Sequence, residues 1–327
     1  MRVLLTGGTG FVGINLVEKL LDHGHDVVIY AKTPFVSEAI QSFENRRGSY
    51  QFVAGDIHDV ERLRSLFKEC RFQSCIHGAV ITPDVQREKK MASQIIDVNL
   101  MGTVHMLELA REFSLEKLIY MSSVSIYGAY AFEVDVLKEE ERHAYPISLY
   151  EISKYAADQV CGRYRDLFDL PVIIARIGHV FGPWEHETGY RDTFSAPFQA
   201  LRLALKGEKA VLPGAGVRDW IYSRDVAGAL TGLLETNEWK NTVYQIGSGK
   251  KWSLVQWCER LAEEFPDFSY TLDSSEEGNI RLFLPADPAP MSIQRLVEER
   301  IYQPKYDMHA AFADYLGWVR QRESFFL

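Results

Sequence analysis

The chain has 327 residues, 46% hydrophobic and 25% charged, with a net charge of −9 and acids spread along its length. That is ample for one large globular α/β domain, or such a domain with an appendage, and it argues against a nucleic-acid surface, which needs clustered Lys and Arg. The opening MRVLLTGG has no charged segment ahead of an apolar run, and no apolar stretch approaches the roughly 18 residues of a membrane span, so a cytoplasmic protein is expected.

Strand-like apolar runs alternate with helical patterns through the first half of the chain. VLLTG is followed by the helical FVGINLVEKLLDHG, then DVVIYA, a loop and short helix, QFVAGD, the helical DVERLRSLFKE, and SCIHGAV. A long helix is expected over MASQIIDVNLMGTVHMLELAREF, then the strand KLIYMSS, a helix from Leu149 to Phe168, and the strand PVIIARIG. Such alternation implies a parallel, doubly wound sheet, and the continuous apolar strands fit a sheet covered on both faces. Beyond about Arg176 the elements shorten and Gly, Pro and aromatic residues increase. We expect a dinucleotide-type domain over 1–175 and a smaller domain over 176–327, with 242–247 returning to the main sheet. The acidic run from Lys138 to His143 reads as a solvated loop or short helix. The four cysteines, Cys70, Cys75, Cys161 and Cys258, match no zinc or disulfide spacing, so buried reduced thiols and no metal are expected.

The first strand runs directly into TGGTGFVG and then into a helix. The glycines satisfy G-x-G-x-x-G through Gly8, Gly10 and Gly13, and T-G-x-x-G-x-x-G through Gly7, Gly10 and Gly13. Glycine permits a tight turn and close approach of backbone to a pyrophosphate, and the helix N-terminus, around Phe11 and Val12, offers free N–H groups. Strand, loop and helix in register make this a dinucleotide site. A free ribose 2′-hydroxyl usually meets an acid about 20 residues on. The second strand instead ends Tyr30-Ala31-Lys32, and Lys32 suits a 2′-phosphate or is a solvated loop cation; the choice between NAD and NADP therefore tilts to NADP. Asp56, followed by Ile57, is placed either to meet the adenine amine or to cap the helix that follows.

Tyr150 and Lys154 stand four apart and share a helix face. A phenol is a poor base at its ordinary pKa near 10, and a neighbouring ammonium favours the phenolate. The pair can then move a proton on and off a substrate hydroxyl while hydride goes to nicotinamide. The serine-rich strand end holding Ser122, Ser123 and Ser125 supplies a further donor for the substrate oxygen.

TGGTGFVG, GDI, CIHGAV, VNLMGT, SSVSIYG, YEISK, RIGHVFGP, GVRDWIYSRDV and YQIGSG occur in this order. With them, nearly the whole chain resembles the extended short-chain dehydrogenase/reductase superfamily, in its NAD(P)-dependent sugar epimerase/dehydratase branch. The resemblance implies a Rossmann sheet, Ser123 as catalytic serine, Tyr150 as acid/base, and Lys154 on the nicotinamide ribose. It implies Asn99 as a structural asparagine near the cofactor, Ala79 lining the cofactor, Arg218 on a substrate phosphate or other anion, and a homodimer. The chain departs from the family pattern at Val80, which replaces an alanine, and at His179, which replaces a substrate-facing asparagine. The Asp-Glu pair of the 4,6-dehydratases is absent, its positions being held by Val124 and Ser125.

The loop W184-EHETGYRD-192 adds His186, Arg191 and Asp192 as candidate sugar or sugar-acid contacts, and Arg281 as a second cation. The expected activity is epimerisation of a (nucleotide) sugar by transient oxidation and hydride return. The alternatives are a net dehydrogenase or reductase of a sugar, sugar acid or other carbonyl compound, and a cofactor-sensing binding protein.

Overall fold

The computed structural model describes residues 1–141, 143–274, 278–283, 286–322 and 325–326. In chain order the first half contains β1 (Arg2–Thr6), α1 (Phe11–Asp22), β2 (Asp26–Ala31), α2 (Ser37–Phe43), β3 (Ser49–Ala54), α3 (Val60–Cys70), β4 (Ser74–His77), α4 (Val85–Ile96), α5 (Gly102–Glu112), β5 (Lys117–Ser123), α6 (Leu149–Phe168) and β6 (Val172–Ile177). The second half contains β7 (His179–Phe181), α7 (Ala196–Leu205), β8 (Ala210–Leu212), β9 (Trp220–Tyr222), α8 (Ser223–Glu235), β10 (Val243–Ile246), α9 (Leu254–Glu264), β11 (Tyr270–Leu272), α10 (Gln294–Glu298) and α11 (Met308–Arg320).

Seven strands form one parallel sheet in the order β10-β6-β5-β4-β1-β2-β3. The order reverses between β1 and β4, and the crevice beyond their carboxyl ends is where ligands of such sheets bind. Strand β10 pairs Val243 with Ile174 and Ile246 with Ile177, so the expected return of this segment to the sheet is present. Two short parallel pairs, β7 with β9 and β8 with β11, lie outside the main sheet. The apolar layer on one face is continuous from Val3 and Ile119 through Trp220 to Trp257 and Trp318. The other face packs around Leu4, Tyr120 and Ala157. All four cysteines are buried and unpaired, and among the described residues no helix is long and apolar enough to cross a membrane.

The long helix expected over Met91 to Phe113 is instead α4, a single π-helical turn over Asp97–Met101, and α5. Helical periodicity does not reveal such a widening, because tertiary bonds impose it. Here the Asn99 amide is drawn inward to the backbone of Ile81 and to Ser153. Helix α6 has the bounds read from the sequence. Its start is fixed by a capping box: Ser148 Oγ accepts the Glu151 N–H at 3.2 Å, and the Glu151 carboxylate accepts the Ser148 N–H at 3.3 Å.

Behind the end of β5, Asp158 on α6 accepts from Arg176 Nε and Nη2, both at 3.0 Å, and from Ser122 Oγ at 3.0 Å. Both partners of this ion pair are almost fully buried. Removing one leaves the other charge uncompensated in a low-dielectric interior. Asp158→Ala is therefore expected to cost about 3–5 kcal/mol, read as a lowered urea midpoint at unchanged m-value.

Candidate active site

A cleft of about 1500 Å³ opens over the carboxyl edge of the sheet, lined at one end by Lys32 and Asp56 and at the other by Ser123, Tyr150, His179 and Arg218. The glycine loop forms its floor. Gly7 has φ +72°, and a Cβ there would lie 2.7 Å from the carbonyl of Gly78. A Cβ on Gly13 would lie 2.5 Å from the Gly7 oxygen. Gly10 differs: its Cβ would meet only the Gly7 oxygen, at 3.5 Å, which leaves room above it for a ligand. The spacing through Gly7, Gly10 and Gly13 is thus the one that shapes the turn, and Gly8 packs against Leu5 and Ile29. No side chain caps α1, and no acid occupies its first turn. Its N–H groups and positive dipole end face the cleft, an arrangement that fits a pyrophosphate.

Lys32 and Asp56 form an ion pair at 2.6 Å. Burial opposes the charge on Asp56, but the Lys32 hydrogen bond and the His58 N–H carry its carboxyl below the ordinary value; the same bond raises Lys32. Asp56 is not the cap of α3, since Asp59 accepts the Arg62 N–H at 3.0 Å. Nor is Lys32 an unpaired loop cation. Gly10, Phe11, Val12, Ile57 and Ala79 line the same cleft. Asn99 lies beneath it, where its Oδ1 accepts the Ile81 N–H at 2.8 Å and its Nδ2 donates to Ile81 O at 3.0 Å and Ser153 Oγ at 3.1 Å. It therefore ties the loop after β4 to the residue next to Lys154.

Tyr150 occupies the second position of α6, within the capped first turn. Burial pushes its phenol up. Hydrogen bonding to Ser123, the charge of Arg191, and hydrogen bonds to Thr82 and Ser125 act in the opposite direction. Ser123 Oγ accepts from Ser125 twice, from its N–H at 3.2 Å and its Oγ at 2.8 Å. A hydroxyl has two acceptor sites and one donor, so with both acceptor sites used the Ser123 proton is directed towards Tyr150, on whose phenol it acts. Lys154 is buried, donates to the Met121 carbonyl, and stands 4.3 Å from the centre of the Tyr120 ring. Burial lowers its ammonium to about 7.

At the far end, His179 lies beside Trp220, with ring centres 6.0 Å apart. Burial, and then the charge of Arg218, hold its imidazole at about 3, so it is neutral at physiological pH. Arg218 is 5% exposed, donates to Leu282 O, and lies 5.2 Å from the Trp220 ring centre. Its Nε has no partner among the described residues. A buried guanidinium with an unsatisfied donor suits an anionic ligand group.

Of the loop residues, Arg191 lines the cleft, held by Glu185 at 2.9 Å and by Thr193 O at 3.0 Å. His186 and Asp192 are turned away. His186 Nδ1 bonds Trp184 O at 2.7 Å, and Asp192 is engaged by Arg87. Arg281 lines the cleft rim with its backbone clasped by Gln199. Sequence reasoning missed Thr82, which lines the cleft with the tyrosine from the loop after β4; no local pattern marks a single threonine there.

The depressed Lys154 gives a pH signature. The unfolded lysine keeps its proton to about 10.4, whereas the folded one releases it near 7. Between these values the unfolded chain binds more protons, so stability rises with pH. Cofactor-free protein is expected to gain thermal stability from about pH 7 towards pH 10 relative to a Lys154→Met variant, which lacks this term; paired melting curves across that range check it.

Comparisons with known proteins agree with this geometry. The family model for the NAD dependent epimerase/dehydratase family matches residues 3–247. A putative UDP-glucose 4-epimerase of Methanocaldococcus jannaschii is 27% identical over 325 residues, covering 97% of this chain and 98% of that one. A low-salt glycan biosynthesis protein of Haloferax volcanii is 30% identical over 270 residues, covering 80% and 82%. Among solved structures, a UDP-glucose 4-epimerase of Thermotoga maritima superposes with a TM-score of 0.81 at 24% identity, covering 99% of this chain and 100% of that one. A dTDP-glucose 4,6-dehydratase of Bacillus anthracis in complex with NAD superposes at 0.79 and 25% identity, covering 99% and 98%. With three quarters of its length matched by the family model, and its glycine loop, Tyr150 and Lys154 on one cleft, the chain belongs to the NAD-dependent epimerase/dehydratase family of extended short-chain dehydrogenases/reductases.

Proposed function

We propose that the protein epimerises a nucleotide sugar, with residues 1–175 and 242–247 holding the dinucleotide and 176–327 supplying the substrate side. The observation that carries this reading is the pairing, in one cleft, of the Ser123–Tyr150–Lys154 group with the buried Arg218, whose Nε has no partner among the described residues. When bound, the nicotinamide supplies a hydride acceptor and later the donor. Ser123 turns its proton from Tyr150 to the reacting sugar oxygen when substrate is bound. Tyr150 takes the hydroxyl proton as the carbon is oxidised and returns it when the sugar is reduced on its other face. Lys154, at about 7, is poised to be charged or neutral, and ribose hydroxyls and a neighbouring phenolate favour its charged form. Arg218 and the neutral His179 hold the diphosphate. Dehydration is disfavoured, because Val124 is buried and the Ser125 hydroxyl is bonded to Ser123, so neither position offers an acid.

The cofactor is NAD in this reading. The tilt to NADP counted Lys32 as an available cation, but its charge is opposed by Asp56 at 2.6 Å. A relative or neighbour that binds NAD supports the same choice. The protein is also proposed to be a homodimer through α4 and α6, which pack on each other and leave Ile152, Leu167 and Phe168 exposed.

Three outcomes are expected. Protein denatured as purified releases NAD, identified by mass, and interconverts a UDP- or dTDP-hexose with its epimer without net reduction of added cofactor; an empty protein that consumes NADPH stoichiometrically would establish the reductase instead. Asp56→Asn frees Lys32 and shifts preference towards NADP by about tenfold, corresponding to about 1.4 kcal/mol, read from the two affinities. Tyr150→Phe abolishes turnover, and Ser125→Ala lowers kcat by about tenfold with little change in KM, whereas Ser125→Thr keeps the donor and most of the rate.

A further inference from the structure

The chain after β7 leaves the sheet and crosses back over the cleft. It is pinned beside the loop that follows β4. The Thr82 N–H donates to Tyr190 O at 2.8 Å, and the Asp192 N–H donates to Thr82 O at 3.0 Å, so Thr82 and Arg191 form a parallel bridge. Arg87, in the first turn of α4, engages Asp192 through two nitrogens, Nη2 to Oδ1 at 2.8 Å and Nε to Oδ2 at 2.6 Å, and also donates to Gly189 O. The pair is largely withdrawn from solvent, with side chains 24% and 19% exposed, so it is screened less than a surface ion pair.

The two residues between these anchors both line the cleft. The Arg191 guanidinium lies 4.9 Å from the ring centre of Phe11, the aromatic residue of the glycine loop, and acts on Tyr150. Tyr190 packs against the apolar cluster that contains Tyr30, Ile57 and Ile81, and lines the same cleft as Lys32. A dinucleotide extending from Lys32 past Gly10 to Tyr150 therefore runs beneath this segment.

We propose that residues 188–192 form a retaining strap over the bound dinucleotide, with Tyr190 and Arg191 as cofactor contacts and Arg87 and Asp192 as positioning residues that latch it. The proposal rests on the assignment of this cleft to a dinucleotide. Release requires the strap to lift, which breaks the Thr82 bridge and the two-point ion pair together. The strap thereby keeps the reduced cofactor and the keto sugar in one enclosure until hydride is returned. A dehydrogenase that exchanges cofactor at each turn gains nothing from such a latch, whereas an epimerase needs one.

The test is the release rate of NAD from the loaded full-length protein, chased with excess isotopically labelled NAD. Arg87→Ala and Asp192→Asn are each expected to release NAD at least about tenfold faster than the parent chain. The exchanged pair Arg87→Asp with Asp192→Arg is expected to return to within about threefold of it, a rescue that a merely structural role would not produce. Tyr190→Ala, away from the ion pair, gives the same direction of change if the latch variants do not fold. Folded variants that release NAD at the parent rate overturn the strap. A parent protein that binds no dinucleotide at all, by contrast, removes the functional assignment and the strap with it.

Discussion

The backbone of Gly7 rests against the peptide joining Gly78 and Ala79, with space for no side chain between them. That approach joins the loop after β1 to the loop after β4 at the point where strand order reverses. Thr6 reinforces it, as its hydroxyl bonds His77 Nδ1 at 2.7 Å and accepts the Gly78 and Ala79 N–H groups at 3.2 Å. His77 is in turn held by Thr103 and kept neutral by burial. Once these two loops are fixed, the N-terminus of α1 must face the crevice. The loop after β4 must then run past Asn99 towards the tyrosine.

A chain with net charge −9 builds this cleft around cations. Lys154, Arg191 and Arg218 all line it, and Lys154 and Arg218 are held below their ordinary values by burial. Burying charge is costly unless something compensates it. Arg191 is paired with Glu185, whereas among the described residues Arg218, with an unpartnered Nε, and Lys154, on a carbonyl and a ring face, feel Asp287 and Asp158 without an ion pair to either. The imbalance is what a site for a polyanionic ligand looks like before the ligand arrives. An acidic protein can thus present a cleft suited to anionic ligands, since the local field rather than the net charge decides.

Some parts of this site were written in local pattern. TGGTGFVG between a strand and a helix, and Tyr150 with Lys154 on the first turns of a capped helix, need only helix geometry and glycine chemistry to be read. The Lys32–Asp56 pair was not legible. Each residue was assigned a separate partner, because the sequence separates them by a helix and a strand, and only the β2–β3 register, which sets Ala31 beside Ala54, brings them together. The π turn at Asn99 was read as plain helix for a similar reason, since bonds to Ile81 and Ser153 shape it.

The sequence by itself determined the alternation of strands and helices, the glycine turn, the bounds of α6 and the shared face of Tyr150 and Lys154, because each depends on residues within a few positions of one another. Tertiary structure decided that Lys32 and Arg191 are held in ion pairs. It turned His186 and Asp192 away from the cleft, placed Arg191 within it, and drew the segment around Tyr190 across it. Those outcomes depend on contacts between residues far apart in the chain, such as Arg87 with Asp192 and Thr82 with Tyr190. No periodicity encodes the distance between such residues; packing of the whole sheet sets it.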